Sequence, residues 1–96
     1  MSYVHLTKTP GVTVADYQRV VAELGTDPVN GQLVHIVGEA DGTLHIVDVW
    51  QSKEHADRFA SERLFPAFDR AGVRPGPGHE DIGIDGTVTV GSAVQR

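Results

Sequence analysis

The chain has no cysteine among its 96 residues. That excludes disulfides, thiolate nucleophiles and thiolate-held metals. Basic residues are scarce too: 8 Lys and Arg stand against 13 Asp and Glu, for a net charge of −5. Nucleic acid, whose phosphates call for a basic face, is therefore not an expected partner, and neither is an anionic membrane surface. No apolar run approaches the ~20 residues of a membrane span, and no basic flank followed by an apolar run marks a signal peptide. The expectation is a soluble cytoplasmic protein. Glycine-rich phosphate loops and Gly-x-Ser-x-Gly elbows are missing, so nucleotide chemistry and serine hydrolysis have no support. Five histidines are present, but none in a His-x-x-x-His pair or a tight triad with a carboxylate, so no metal site is expected.

What is present reads as one domain over residues 1–96, with a frayed tail from about residue 91. A chain this short buries only about 60–70% of its unfolded surface, so an interface with a second copy would help it materially. Tyr3 to Lys8 reads as a strand closed by Thr9-Pro10-Gly11. Thr13 caps a helix whose apolar stripe is Val14, Tyr17, Val20 or Val21, and Leu24, with Asp16 in its first turn and Gly25 at its end. Leu33 to Glu39 and Thr43 to Trp50 are strands joined around Asp41-Gly42. Ser52 caps a second helix with Ala56, Phe59, Ala60, Leu64, Ala67 and Phe68 inward. Pro66 predicts a break near Ser61 to Phe65. After the loop Arg74-Pro75-Gly76-Pro77-Gly78, Glu80 to Asp85 is a fourth strand, and Asp85-Gly86 turns the chain into Thr87 to Val90. The order β-α-β-β-α-β folds as an antiparallel sheet with both helices on one face, an α+β ferredoxin-like arrangement.

A turn centred on Asp41-Gly42 sets the hairpin register: Val37 faces Ile46, His35 faces Asp48 and Leu33 faces Trp50. One face holds these residues. The other holds Val34, Ile36, Gly38, His45, Val47 and Val49. A sheet with one wet face would alternate apolar and polar, and this one is apolar on both. A twofold-related copy is the simplest cover, so a homodimer is expected.

Asp48 in an aliphatic strand needs a partner, and His35 is the register-matched one. Two readings stand side by side. In one, the carboxylate orients an imidazole base for an acidic carbon or phenol. In the other, the pair only pins strand register. His5 joins the same cavity if its face of the first strand looks toward the helices, and otherwise lies near the dimer interface. Trp50, Phe59, Phe65 and Phe68 either wall a pocket for a small hydrophobic or aromatic molecule or pack as plain core. His45 falls on the interface side, His55 is solvated, and a lid role for His79 is weighed without support.

The run Val47-Asp48-Val49-Trp50-Gln51-Ser52-Lys53-Glu54, with Phe59 and then Leu64-Phe65-Pro66-Ala67-Phe68, resembles the antibiotic-biosynthesis-monooxygenase family of the dimeric α/β-barrel superfamily. The resemblance covers residues 2–85 and implies a ferredoxin-like subunit, two sheets meeting in a barrel, and a pocket between sheet and helices. Activities in that family include cofactor-independent oxidation of polyketide-like phenols and haem degradation, and relatives elsewhere in the superfamily are cyclases and isomerases. By this resemblance Trp50 lines the pocket, which puts Leu33, His35 and Asp48 on the helix-facing side. Asp69 stands where the haem-degrading branch carries an iron-binding histidine, so neither haem nor any other cofactor is expected. The implied function is a cofactor-independent monooxygenase with His35 as base, Asp48 as its orienter, and His5, Leu33, Trp50, Phe59, Phe65 and Phe68 around the substrate.

Overall fold

Strand β1 (Ser2–Pro10) runs two residues beyond the expected Lys8, into Pro10, before Gly11 N–H donates to Gly42 O at 3.0 Å and turns the chain away. The computed structural model describes residues 1–93. The frayed tail expected from about residue 91 therefore falls outside the described residues beyond Ala93. Helix α1 (Val14–Leu24) starts on a reciprocal cap: Asp16 N–H donates to Thr13 Oγ1 at 3.0 Å, and Thr13 N–H donates to Asp16 Oδ2 at 3.0 Å. Two helix-end donors are thereby satisfied at once, and a third, Val14 N–H, reaches Glu39 Oε1 at 2.8 Å. These bonds also hold the Asp16 carboxyl below its ordinary range, the Thr13 backbone bond contributing most.

Strands β2 (Gln32–Ala40) and β3 (Thr43–Trp50) form the hairpin. Asp41 at φ 52° and Gly42 at φ 72° make the two left-handed residues of a type I′ turn, whose twist matches the flanking strands. From Ala40–Thr43 through Val37–Ile46 to His35–Asp48 the expected register holds. It then slips. A bulge between Gln32 and Val34 seats Gln32, not Leu33, opposite Trp50. Leu33 is left 49% exposed, so its expected place beside Trp50 is corrected.

The bulge follows a constrained turn. Gly31 sits at φ 84°, its carbonyl accepts from Gln51 N–H at 2.8 Å, and a Cβ there would lie 2.3 Å from His55 Cδ2. His55 is thus half-buried against Gly31, with Nδ1 2.7 Å from Ser52 Oγ, rather than solvated as expected. Gly31→Ala is expected to destabilise the fold by more than ~1 kcal/mol, since it combines a left-handed φ with a clash. Urea unfolding measures this, and an unchanged midpoint would mean that the loop relaxes freely.

Helix α2 (Lys53–Phe59) is capped by Ser52, whose Oγ accepts from His55 N–H at 3.3 Å. It continues through a π-helical turn, Ala60–Leu64, into α3 (Phe65–Ala71). The expected break before Pro66 is therefore absorbed rather than cut. Helical dihedrals persist at Ala60, Leu64 and Phe65, and Phe65 N–H bonds to Ala60 O, five residues back. The wider turn accommodates a proline that has no N–H to give. Gly72, in the left-handed region, ends α3. The last strand is β4 (Glu80–Gly86), and residues 87–90 add no further regular element.

The sheet is antiparallel throughout, in the order β2-β3-β1-β4. Each helical connection spans one intervening strand, which is the ferredoxin-like β-α-β-β-α-β fold. The core lies between the sheet and the helices: Tyr17 and Val20 of α1 and Ala67 of α3 close on Leu44 and Ile46. The other sheet face is apolar and uncovered, with Ile36 at 56%, Ile82 at 51% and Ile84 at 49% exposure. His45 lies on that face, opposite Lys8.

Candidate functional site

Alternation along β3 sends Leu44, Ile46, Asp48 and Trp50 inward, and all four are buried. Cross-strand register carries the same face onto β1, where Tyr3 faces Trp50, His5 faces Asp48 and Thr7 faces Ile46. The two readings for His5 resolve to the helix-facing one. Between this surface and the helices lies a cavity of about 470 Å³, reached by His5, His35, Asp48, Trp50, Phe59, Phe65 and Phe68. Of the expected site residues only Leu33 is absent from its lining; Gln32 takes that place and points Nε2 at Asp48 Oδ1, 3.4 Å away.

His35 Nδ1 donates to Asp48 Oδ1 at 2.5 Å. Asp48 is 8% exposed, so its charge is held by this imidazole and by Gln32 rather than by water. The hydrogen bond to Asp48 raises the His35 pKa above its ordinary value, the carboxylate's charge adds to the rise, and partial burial opposes it. With Nδ1 engaged, Nε2 is the free nitrogen of the ring, and no residue described bonds to it. The imidazole lies beside Tyr17, ring centroids 6.0 Å apart, and Tyr17 in turn meets Phe68 at 6.3 Å. Burial, aided by the Asp48 charge, pushes the Tyr17 phenol up to about 12, so it remains a neutral wall.

The aromatic end is formed by Trp50 and Phe59, centroids 5.4 Å apart. Arg63 of the π turn stacks its guanidinium 5.5 Å over Phe59. It also donates to Pro28 O at 2.8 Å and Asp27 O at 3.1 Å, which ties this wall to the loop after α1. Phe65 stands at the rim, 61% exposed. Trp50 Nε1–H is buried without an acceptor among the described residues. Asp69 is exposed on α3 and outside the lining. Among the described residues no three His, Asp or Glu side chains converge as a metal would need.

Sequence reasoning missed Asp81 and Tyr17 and weighed His79 only as a lid. Asp81 Oδ2 accepts from His79 Nε2 at 2.8 Å, and Asp81 Oδ1 lies 3.2 Å from His5 Nε2. The available signal was the alternation of Asp81, Gly83 and Asp85 with Ile82 and Ile84, which assigns the acids to one face of β4.

Solved structures share this fold. A protein of Chloroflexus aurantiacus J-10-fl described as a "putative antibiotic biosynthesis monooxygenase" superposes with a TM-score of 0.63 at 19% identity, covering 95% of this chain and 100% of that one. Rv0793 from Mycobacterium tuberculosis gives 0.69 at 11% identity, with 95% and 100% covered. A Deinococcus radiodurans protein with the same description as the first gives 0.59 at 14%, with 95% and 97% covered. No protein-family model and no curated protein matches the chain. At these identities the likeness is one of fold: the chain has the ferredoxin-like fold of antibiotic-biosynthesis-monooxygenase-like proteins, as the resemblance implied.

Proposed function

We propose that the chain is a homodimeric, cofactor-independent monooxygenase acting on an aromatic or polyketide-like small molecule. The observation that carries this reading is an imidazole fixed by a buried carboxylate on the floor of an apolar cavity of about 470 Å³, with its second nitrogen unpaired. His35 Nε2 takes a proton from a phenol or an acidified carbon, Asp48 stabilises the imidazolium, and the aromatic walls keep water from the anion. The electron-rich anion then passes electrons to dioxygen. One oxygen atom enters the product as a carbonyl, the other leaves as water, and a CH₂ group is the reductant. The shared fold supports the pocket and its location but does not choose the reaction. A cyclase or isomerase would use the same His35 without consuming oxygen, and a binding protein would make no product at all.

Oxygen uptake with anthrone, whose CH₂ is acidified by its carbonyl and two rings, separates these readings. One dioxygen consumed per anthraquinone formed, with no added reductant, is the expected result. Uptake no faster than the buffer background across such ketones and phenols would reject the monooxygenase. A base must be neutral to act, and the His35 pKa is raised. The rate should therefore climb with pH through a midpoint above about 6.5 and then level off. Asp48→Asn removes the causes of the rise, so its midpoint should move down and its plateau fall; the same midpoint in both proteins would exclude His35 as the titrating base.

A further inference from the structure

We propose that His5, Asp81 and His79 form a second acid–base site in the cavity, one that binds a ligand oxygen remote from His35; this rests on the reading of the cavity as an aromatic-binding site. Three segments meet to build it: β1, β4 and the loop before β4. Asp81 Oδ1 accepts the Thr7 hydroxyl at 3.1 Å and lies 3.2 Å from His5 Nε2, while Oδ2 accepts from His79 Nε2 at 2.8 Å. The Thr9 hydroxyl donates to His79 Nδ1 at 3.1 Å. His79 is thus engaged at both ring nitrogens. His5 is engaged at Nε2 alone, and its Nδ1 has no partner among the described residues.

That arrangement matches His35 with the nitrogens exchanged. His35 donates Nδ1 to a carboxylate and leaves Nε2 open; His5 has Nε2 3.2 Å from a carboxylate, at ion-pair distance, and leaves Nδ1 open. Both imidazoles line the same cavity, and both side chains are 32% exposed. A cluster serving only to fasten the loop would need His79, Asp81 and Thr9. It would not need a third ring with one nitrogen unpaired. Tyr3 stacks along the His5 ring, planes 16° apart and centroids 6.2 Å apart, and so limits its rotation.

Register fixes the spacing. His5 faces Asp48 across one strand pair, and Asp48 faces His35 across the next. The Cα atoms of His5 and His35 therefore stand two strand spacings apart, about 9–10 Å. A single phenol reaches one of the two imidazoles. A flat two-ring aromatic with an oxygen at each end reaches both, and the cavity of about 470 Å³ has room for it. The class of ligand is thus set by the distance between two acid–base groups on one floor.

The test is calorimetric titration of the full chain with 2-naphthol and with 2,6-naphthalenediol, which differ only by the distal hydroxyl. The diol should bind about tenfold tighter or better, the worth of one hydrogen bond to a charge-assisted partner. In Asp81→Asn and in His5→Gln that gain of the diol over 2-naphthol should shrink below about twofold. Equal affinities in the unsubstituted protein would overturn the proposal, and so would a gain that survives both substitutions. Failure of both compounds to bind would overturn the aromatic-site reading and this proposal with it.

Discussion

His35→Gln is expected to lower turnover by about 10²–10⁴-fold while leaving the fold in place. Glutamine is the informative replacement. It keeps an N–H for Asp48 but has no titratable nitrogen, so it separates basicity from hydrogen bonding. Alanine would strand a carboxylate whose side chain is only 11% exposed, leaving it with Gln32 Nε2 at 3.4 Å. Such a charge is costly, and a loss of activity would then be mixed with a loss of structure. The glutamine variant also carries a thermodynamic signature. Because the folded pKa of His35 is raised, the stability its protonation contributes is complete below about 6.5 and disappears as pH rises through the raised value. Urea unfolding of the unsubstituted protein should weaken over that window, and the glutamine variant should lack this component. Retention of more than about a tenth of the oxygen-uptake rate would remove His35 from the chemistry.

Ile36→Glu should raise the dimer dissociation constant about a hundredfold or more. The proposed dimer covers the open sheet face, where Ile36 is 56% exposed and pairs with Val47 of β3. A twofold interface presents each residue twice, so one substitution buries two carboxylates and its cost is doubled. Even a modest ~1.4 kcal/mol per copy multiplies to the stated factor. Sedimentation equilibrium measures it directly. A chain that is monomeric before substitution would reject the dimer. A dimer indifferent to the glutamate would place the interface on some other surface.

The central hairpin was legible because its determinants are local. Asp41-Gly42 admits one tight turn, and from there each pair follows by counting inward, which brings His35 opposite Asp48. Counting failed at Leu33. The bulge there is set by Gly31 and its bond to Gln51, and nothing in the alternation of Leu33, Val34 and His35 announces an extra residue. The face of His5 and the role of Asp81 were illegible for a different reason. They depend on which strands flank β1, and the pairing of Thr7 with Asp81 links residues 74 apart. Tyr17 reads as part of the apolar stripe, and it is buried there at 5% exposure. Its neighbour across the interior, His35, belongs to another element, and no helical periodicity can name it.

The π turn at Ala60–Leu64 has a bearing on how such a cavity changes over evolutionary time. A π turn is what one inserted residue leaves behind in an α-helix that keeps its course. Deleting one residue between Ala60 and Leu64 would let the Phe65 N–H to Ala60 O bond close over an ordinary helical turn, with everything after it facing as before. Phe68, which meets Tyr17, which in turn lies beside His35, would keep its place on that wall. A single-codon change of length in this turn is thus taken up by the turn itself, and the roof of the site keeps its face toward the histidines and aspartates of the sheet.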